Sequence, residues 1–121
     1  MATLANLFVA LTALLHIGFL GLEMILWSGP TGRSVFRMSE EQAEATKVLA
    51  ANQGLYNGFL AAGLIWALLQ PVPEFAFQLK LFFLVCVIVA AIYGAWSVSR
   101  RILIVQGAPA IVALVLTFLA M

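Results

Sequence analysis

Residues 12–27 read Thr-Ala-Leu-Leu-His-Ile-Gly-Phe-Leu-Gly-Leu-Glu-Met-Ile-Leu-Trp, an apolar stretch that nevertheless holds the single histidine of the chain, His16, and a glutamate, Glu23. At about 100° per residue, Thr12, His16, Phe19, Glu23 and Trp27 fall on one helical stripe roughly 80° wide. His16 and Glu23 stand two turns apart, about 10 Å along the axis. An ionisable side chain in a membrane helix costs roughly 2.5–3.5 kcal/mol on insertion scales, so two on one stripe mark a candidate functional site. The stretch therefore sets both the fold class, an all-α membrane protein, and the place to look for chemistry.

Working outward, the whole chain agrees with that class. It has 121 residues, 64% hydrophobic and 9% charged, against about 45–50% and 25% in soluble domains. Apolar runs of about 20 residues mark transmembrane helices, and four predict a single four-helix transmembrane bundle with little chain left for an aqueous domain. A net charge of +1 without any basic block argues against nucleic acid as a partner. Cys86 is the only cysteine, so no intrachain disulfide forms. The N-terminus lacks a basic n-region and an A-x-A site, and its apolar run is too long for a signal peptide, so it reads as the first helix.

The spans follow from the breakers. Helix 1 runs over about 3–27 and is stopped by Ser28-Gly29-Pro30-Thr31-Gly32. Ser39-Glu40-Glu41-Gln42 is a capping box that opens the second span at about 40–69; its charged first turns, Glu40 to Lys47, project into water. Pro73 and Glu74 suit the first turn of a third span at about 74–99. For the last span, Pro109 either opens a short helix at about 107–121 or kinks a longer one from near Ile102. The short version is the expectation, with Ile102 to Gln106 at the interface.

Five of the six Lys and Arg residues (Arg33, Arg37, Lys47, Arg100, Arg101) fall beyond the first and third spans, and Lys80 alone falls on the other side. The positive-inside rule then places both termini outside the cytoplasm of a bacterial inner membrane, in a multi-pass protein.

The second span supplies the other polar set, Asn52-Gln53-Gly54-Leu55-Tyr56-Asn57-Gly58. Asn52, Gln53, Tyr56 and Asn57 cover roughly 140° of its surface, while Ala50, Gly54, Gly58 and Ala62 form a small-xxx-small ridge elsewhere. The reading is one face for polar contacts and one for close packing. Cys86, Ala90 and Gly94 make a similar ridge on the third span, and two such ridges predict a homo-oligomer. Counting rises from the membrane boundary puts Asn52 level with Glu23, and Asn57 about 7 Å further toward His16. The expectation is one cavity in the cytoplasmic half lined by His16, Glu23, Asn52, Gln53, Tyr56 and Asn57. Trp27, Arg100 and Gln106 belong to the same end of the bundle.

Each residue also has a plain structural reading. His16 satisfies a neighbouring carbonyl, or serves a ligand or proton. Glu23 pairs with an arginine, or exchanges a proton. The Asn/Gln/Tyr set is ordinary interhelical glue, worth roughly 0.6 kcal/mol per bond, or orients a substrate. The chain has no H-E-x-x-H zinc pattern, no P-loop and no dinucleotide fingerprint. No metal site is expected.

His16 with Glu23 and Trp27, the run Asn52-Gln53-Gly54-Leu55-Tyr56-Asn57-Gly58-Phe59-Leu60-Ala61-Ala62-Gly63-Leu64, and Val105-Gln106-Gly107-Ala108-Pro109-Ala110 together resemble the small bacterial membrane proteins of domain-of-unknown-function family 1304. The resemblance covers nearly the whole chain. It implies a compact four-helix inner-membrane protein and brings no activity.

Three functions stay open. The first is a membrane-embedded enzyme, isomerase- or hydrolase-like, acting on a small lipophilic molecule. His16, Glu23 and Tyr56 are its candidate acid–base residues, and Asn52, Gln53, Asn57, Trp27, Gln106 and Arg100 its candidate binding residues. A variant uses His16 as an axial haem ligand. The second is a proton-coupled carrier with Glu23 as the proton site. The third is a structural accessory subunit.

Overall fold

A computed structural model describes residues 1–121, all of them outside any strand. Six α-helices follow in order: α1 (Ala2–Met24), α2 (Pro30–Phe36), α3 (Glu40–Leu69), α4 (Pro73–Ser97), α5 (Arg100–Ile102) and α6 (Ala108–Leu119). A π-helical stretch, Leu103–Gly107, joins α5 to α6. Three helical stretches, Ala2–Met24, Pro73–Ser97 and Arg100–Leu119, are long and apolar enough to cross a membrane. At 30 residues α3 is longer than any of them, but its polar Asn52–Asn57 run keeps it out of that set.

The chain divides into two compact units, one formed by residues 1–15 with 60–121 and the other by residues 16–59. The first is built on a core of Val9, Ala13, Leu64, Leu84, Val87, Ala110 and Ala113, so α1, α3, α4 and α6 each supply a share. Small residues set the spacing there. A Cβ at Gly63 would strike the ring of Phe83, and one at Gly107 would lie 3.1 Å from Ala91 Cβ.

The second unit holds the rest of α1, all of α2 and the first half of α3. The first helix ends at Met24, three residues before the expected Trp27, because the amides of Ile25 and Leu26 both turn back to the Gly21 carbonyl at 3.0 Å. The turn then folds onto itself, with Gly29 and Gly32 both donating to Leu26 O. Gly32 is obligatory, since a Cβ would collide with the backbone of Leu26 and Trp27. The short helix α2 was not expected from the sequence; Pro30 in its first turn supplies a pre-set φ. It stops at Arg37, whose backbone is left-handed (φ 53°). The capping box forms as the sequence predicts: Gln42 N donates to Ser39 Oγ at 3.1 Å and Ser39 N to Gln42 Oε1 at 3.0 Å. One turn on, the Lys47 ammonium donates to Glu44 at 2.7 Å, and this hydrogen bond holds the exposed carboxyl below its ordinary range.

The C-terminal span corrects the sequence reading. The chain is helical from Arg100, not from Gly107, and Ile102 to Gln106 is part of the helix. Pro109 lacks an N–H and its ring crowds the carbonyl four residues back. Widening the preceding turn relieves that clash without breaking the helix, and the Ala108 amide accordingly donates to Leu103 O, five residues back. Gly107 is a packing residue facing Ala91, not a helix start.

Candidate functional site

The site grows from one seam in the second unit, where α1 and α3 approach across Gly54 and Gly58. A Cβ built on Gly54 would lie 2.6 Å from Met24 Cγ, 3.1 Å from Glu23 Cβ and 3.3 Å from Leu20 O; one on Gly58 would lie 2.7 Å from Leu20 Cδ1. The contacts of Gly54 with Glu23 Cβ and the Leu20 carbonyl are tighter than side chains ordinarily make, while those to Met24 Cγ and Leu20 Cδ1 fall on flexible side chains, so the small residues, Gly54 above all, let the helices come this close. The glycine ridge and the polar face, expected on separate sides of the helix, therefore share this seam at Asn57.

Within it, Asn57 Nδ2 donates to Glu23 Oε1 at 2.5 Å. Asn57 is buried and Glu23 half-buried. The partner of Glu23 is thus a neutral amide, not an arginine, and its second oxygen, Oε2, has no hydrogen-bond donor within the protein.

Beside this pair lies an open depression of about 390 Å³, lined by Glu23, Trp27, Ser28, Lys47, Val48 and Asn52 among others. That volume falls in the range of small-molecule sites, about 300–1,000 Å³. Trp27 is fixed as its wall: the indole Nε1 donates to Thr46 Oγ1 at 3.1 Å, and the ring packs against Phe36 at 4.7 Å between centroids. Thr46 is itself oriented by donating to Gln42 O at 2.7 Å. The short helix α2 thereby earns its place, since Phe36 comes from it.

Of the residues expected in one cavity, Glu23 and Asn52 line the depression and Asn57 stands behind Glu23, and Trp27, expected at the same end of the bundle, lines it too. The others do not join them. His16 is 0% exposed, its ring edge-on to Phe19 at 5.4 Å, and it lies outside the lining. A ring enclosed on every side presents no open face for a haem iron. Tyr56 is 61% exposed and stacks edge-on with Phe59, and Gln53 is exposed as well. Arg100 and Gln106 belong to the other compact unit, Arg100 exposed on α5 and Gln106 within the π-helical stretch. The reason is angular. A 140° arc is too wide to face one neighbour, so only its edge, Asn57, turns into the seam. Sequence reasoning missed Gly54 as a site residue, and Ser28 and Lys47 as lining. Gly54 was legible as a ridge residue, but nothing in one helix says that its neighbour is a glutamate.

The family model described as "Protein of unknown function (DUF1304)" matches residues 10–118. The chain is 32% identical over 120 residues to the "Uncharacterized protein YpaA" of Lactococcus lactis subsp. lactis (strain IL1403), covering 98% of this chain and 99% of that protein. No solved structure matches the chain.

Proposed function

The chain belongs to the DUF1304 family, and from that premise we propose that it is a membrane-embedded enzyme acting by acid–base chemistry on a small lipophilic molecule. One observation carries this reading. Glu23 is held by Asn57 through one oxygen, and its other oxygen has no protein donor beside a depression of small-molecule size. A carboxyl oriented in this way takes or gives a proton through Oε2 while Oε1 stays fixed, which is the geometry of a general acid or base. Asn52 supplies amide donors for an oxygen that gains charge, and Trp27 supplies the apolar wall. Isomerisation and hydrolysis both fit these parts.

The setting belongs to the same proposal. α3 is the fourth membrane crossing of a bacterial inner-membrane protein whose termini both lie outside, as the five-to-one distribution of Lys and Arg supports. Gln53 is exposed on α3 and is not part of the depression that Asn52 lines. Amides in hydrocarbon need partners, and side-chain amides are both donors and acceptors. A second copy of the chain at this face satisfies both, so the functional form is a homo-oligomer.

The experiment is isotope transfer. Gently purified protein is incubated with a membrane lipid extract in deuterated, ¹⁸O-enriched water, and lipophilic species that gain label are identified by mass spectrometry. Label that appears with wild type and not with Glu23→Gln supports the enzyme. A species bound in a Glu23-dependent way without gaining label refutes it in favour of a carrier.

A further inference from the structure

A second cleft lies in the unit built from residues 1–15 and 60–121. It holds about 580 Å³ between the first residues of α1, the first turns of α4 and the last turn of α6. Its floor is apolar and shallow-sided, with Ala2, Ala5, Ala76, Phe77 and Ala120. Thr117 adds little polarity, because its hydroxyl is already engaged by the Ala113 carbonyl at 2.7 Å. The other polar side chains are the neutral, exposed Gln78 and the charged Glu74 and Lys80, and the two charges are not paired with each other. The Lys80 ammonium donates to Asn6 Oδ1 at 2.6 Å, which fixes its place and leaves two of its three N–H groups for another acceptor. Glu74 is exposed in the first turn of α4.

Six residues of helix set the Cα atoms of Glu74 and Lys80 about 9 Å apart along the axis. Because α4 is long and apolar enough to cross a membrane, its first turn is the part nearest water. The negative charge is then outermost, the positive charge lies below it, and the apolar floor continues into the hydrocarbon. We propose that this cleft holds a zwitterionic phospholipid with a phosphoethanolamine headgroup, its ammonium on Glu74 and its phosphate on Lys80. Such a lipid carries the complementary order along the membrane normal: ammonium outermost, phosphate beneath it, acyl chains deepest. A singly anionic phosphatidylglycerol satisfies Lys80 equally but offers Glu74 no cation. The match depends only on which end of α4 meets water, not on which side of the membrane that end faces, and it is independent of the Glu23 site.

The test is native mass spectrometry of the full chain in mild detergent, titrated with phosphatidylethanolamine or phosphatidylglycerol of identical acyl chains. Wild type is expected to bind phosphatidylethanolamine about fivefold more tightly, the scale of one well-placed exposed ion pair. Glu74→Gln, at an exposed position, is expected to remove the preference, and Lys80→Gln to weaken both lipids. Ala76→Phe, which fills the floor and leaves both charges, is expected to abolish binding. Equal affinity of wild type for the two lipids overturns the proposal, as does a preference that survives Glu74→Gln or binding that survives Ala76→Phe.

Discussion

Asn57 donates to Glu23 across 2.5 Å although the two residues are 34 positions apart in sequence. A glutamine at position 23 keeps the same acceptor, the same shape and the same bond to Asn57. Glu23→Gln is therefore expected to leave the thermal unfolding midpoint in detergent within a few degrees of wild type while abolishing proton transfer. Asn57→Leu keeps the bulk and removes the donor, and is expected to cost roughly 0.6–1.7 kcal/mol. If Glu23→Gln is the more damaging of the two in thermal melts, the carboxylate is structural and the proposed chemistry fails.

Gly54 sets how close Glu23 can stand to α3. Gly54→Ala would place a methyl 3.1 Å from Glu23 Cβ and 2.6 Å from Met24 Cγ, so the Met24 side chain must turn away and Glu23 must shift relative to α3. The expected cost is about 1–3 kcal/mol, as for other overpacked sites, together with loss of Glu23-dependent labelling. Gly63→Ala, where the new methyl meets the ring of Phe83, is the matched control and is expected to lower stability without touching the chemistry. Equal labelling by both variants, compared at temperatures well below their melting, would count against a role for the seam.

The exposed Gln53 amide of α3 predicts the assembly. Crosslinking and native mass spectrometry in mild detergent are expected to show a dimer or larger oligomer, and Gln53→Leu to shift it to monomer. A wild-type chain that stays monomeric across a hundredfold range of concentration would exclude this interface.

Topology has a direct readout. Alkaline phosphatase fused after Met121 is expected to be active and a fluorescent protein fused there dark, since both termini are proposed to lie outside. Moving two arginines from the side of Arg100 and Arg101 to the neighbourhood of Lys80 should weaken or invert that pattern. A bright fluorescent fusion to the unaltered chain, at comparable expression, would reverse the orientation.

The helical class, the turns at residues 28–32 and 70–72 and the identity of the polar residues were legible in the sequence. Those depend on local causes: the length and apolarity of residues 2–24, the Ser39–Gln42 capping box, and Pro73 in the first turn of α4. The membership of the family was legible for the same reason, in the Asn52–Leu64 run. The C-terminal helix was misread because a proline has two local solutions, a start or a widened turn, and packing of Gly107 on Ala91 accompanies the second. Which polar residue meets which was decided only by tertiary structure. Helical periodicity places Asn52, Gln53, Tyr56 and Asn57 on an arc, but not the azimuth at which α1 crosses it. That azimuth is set by where backbones can approach, at Gly54 and Gly58, and it selects Asn57 for Glu23 while leaving Gln53 and Tyr56 exposed.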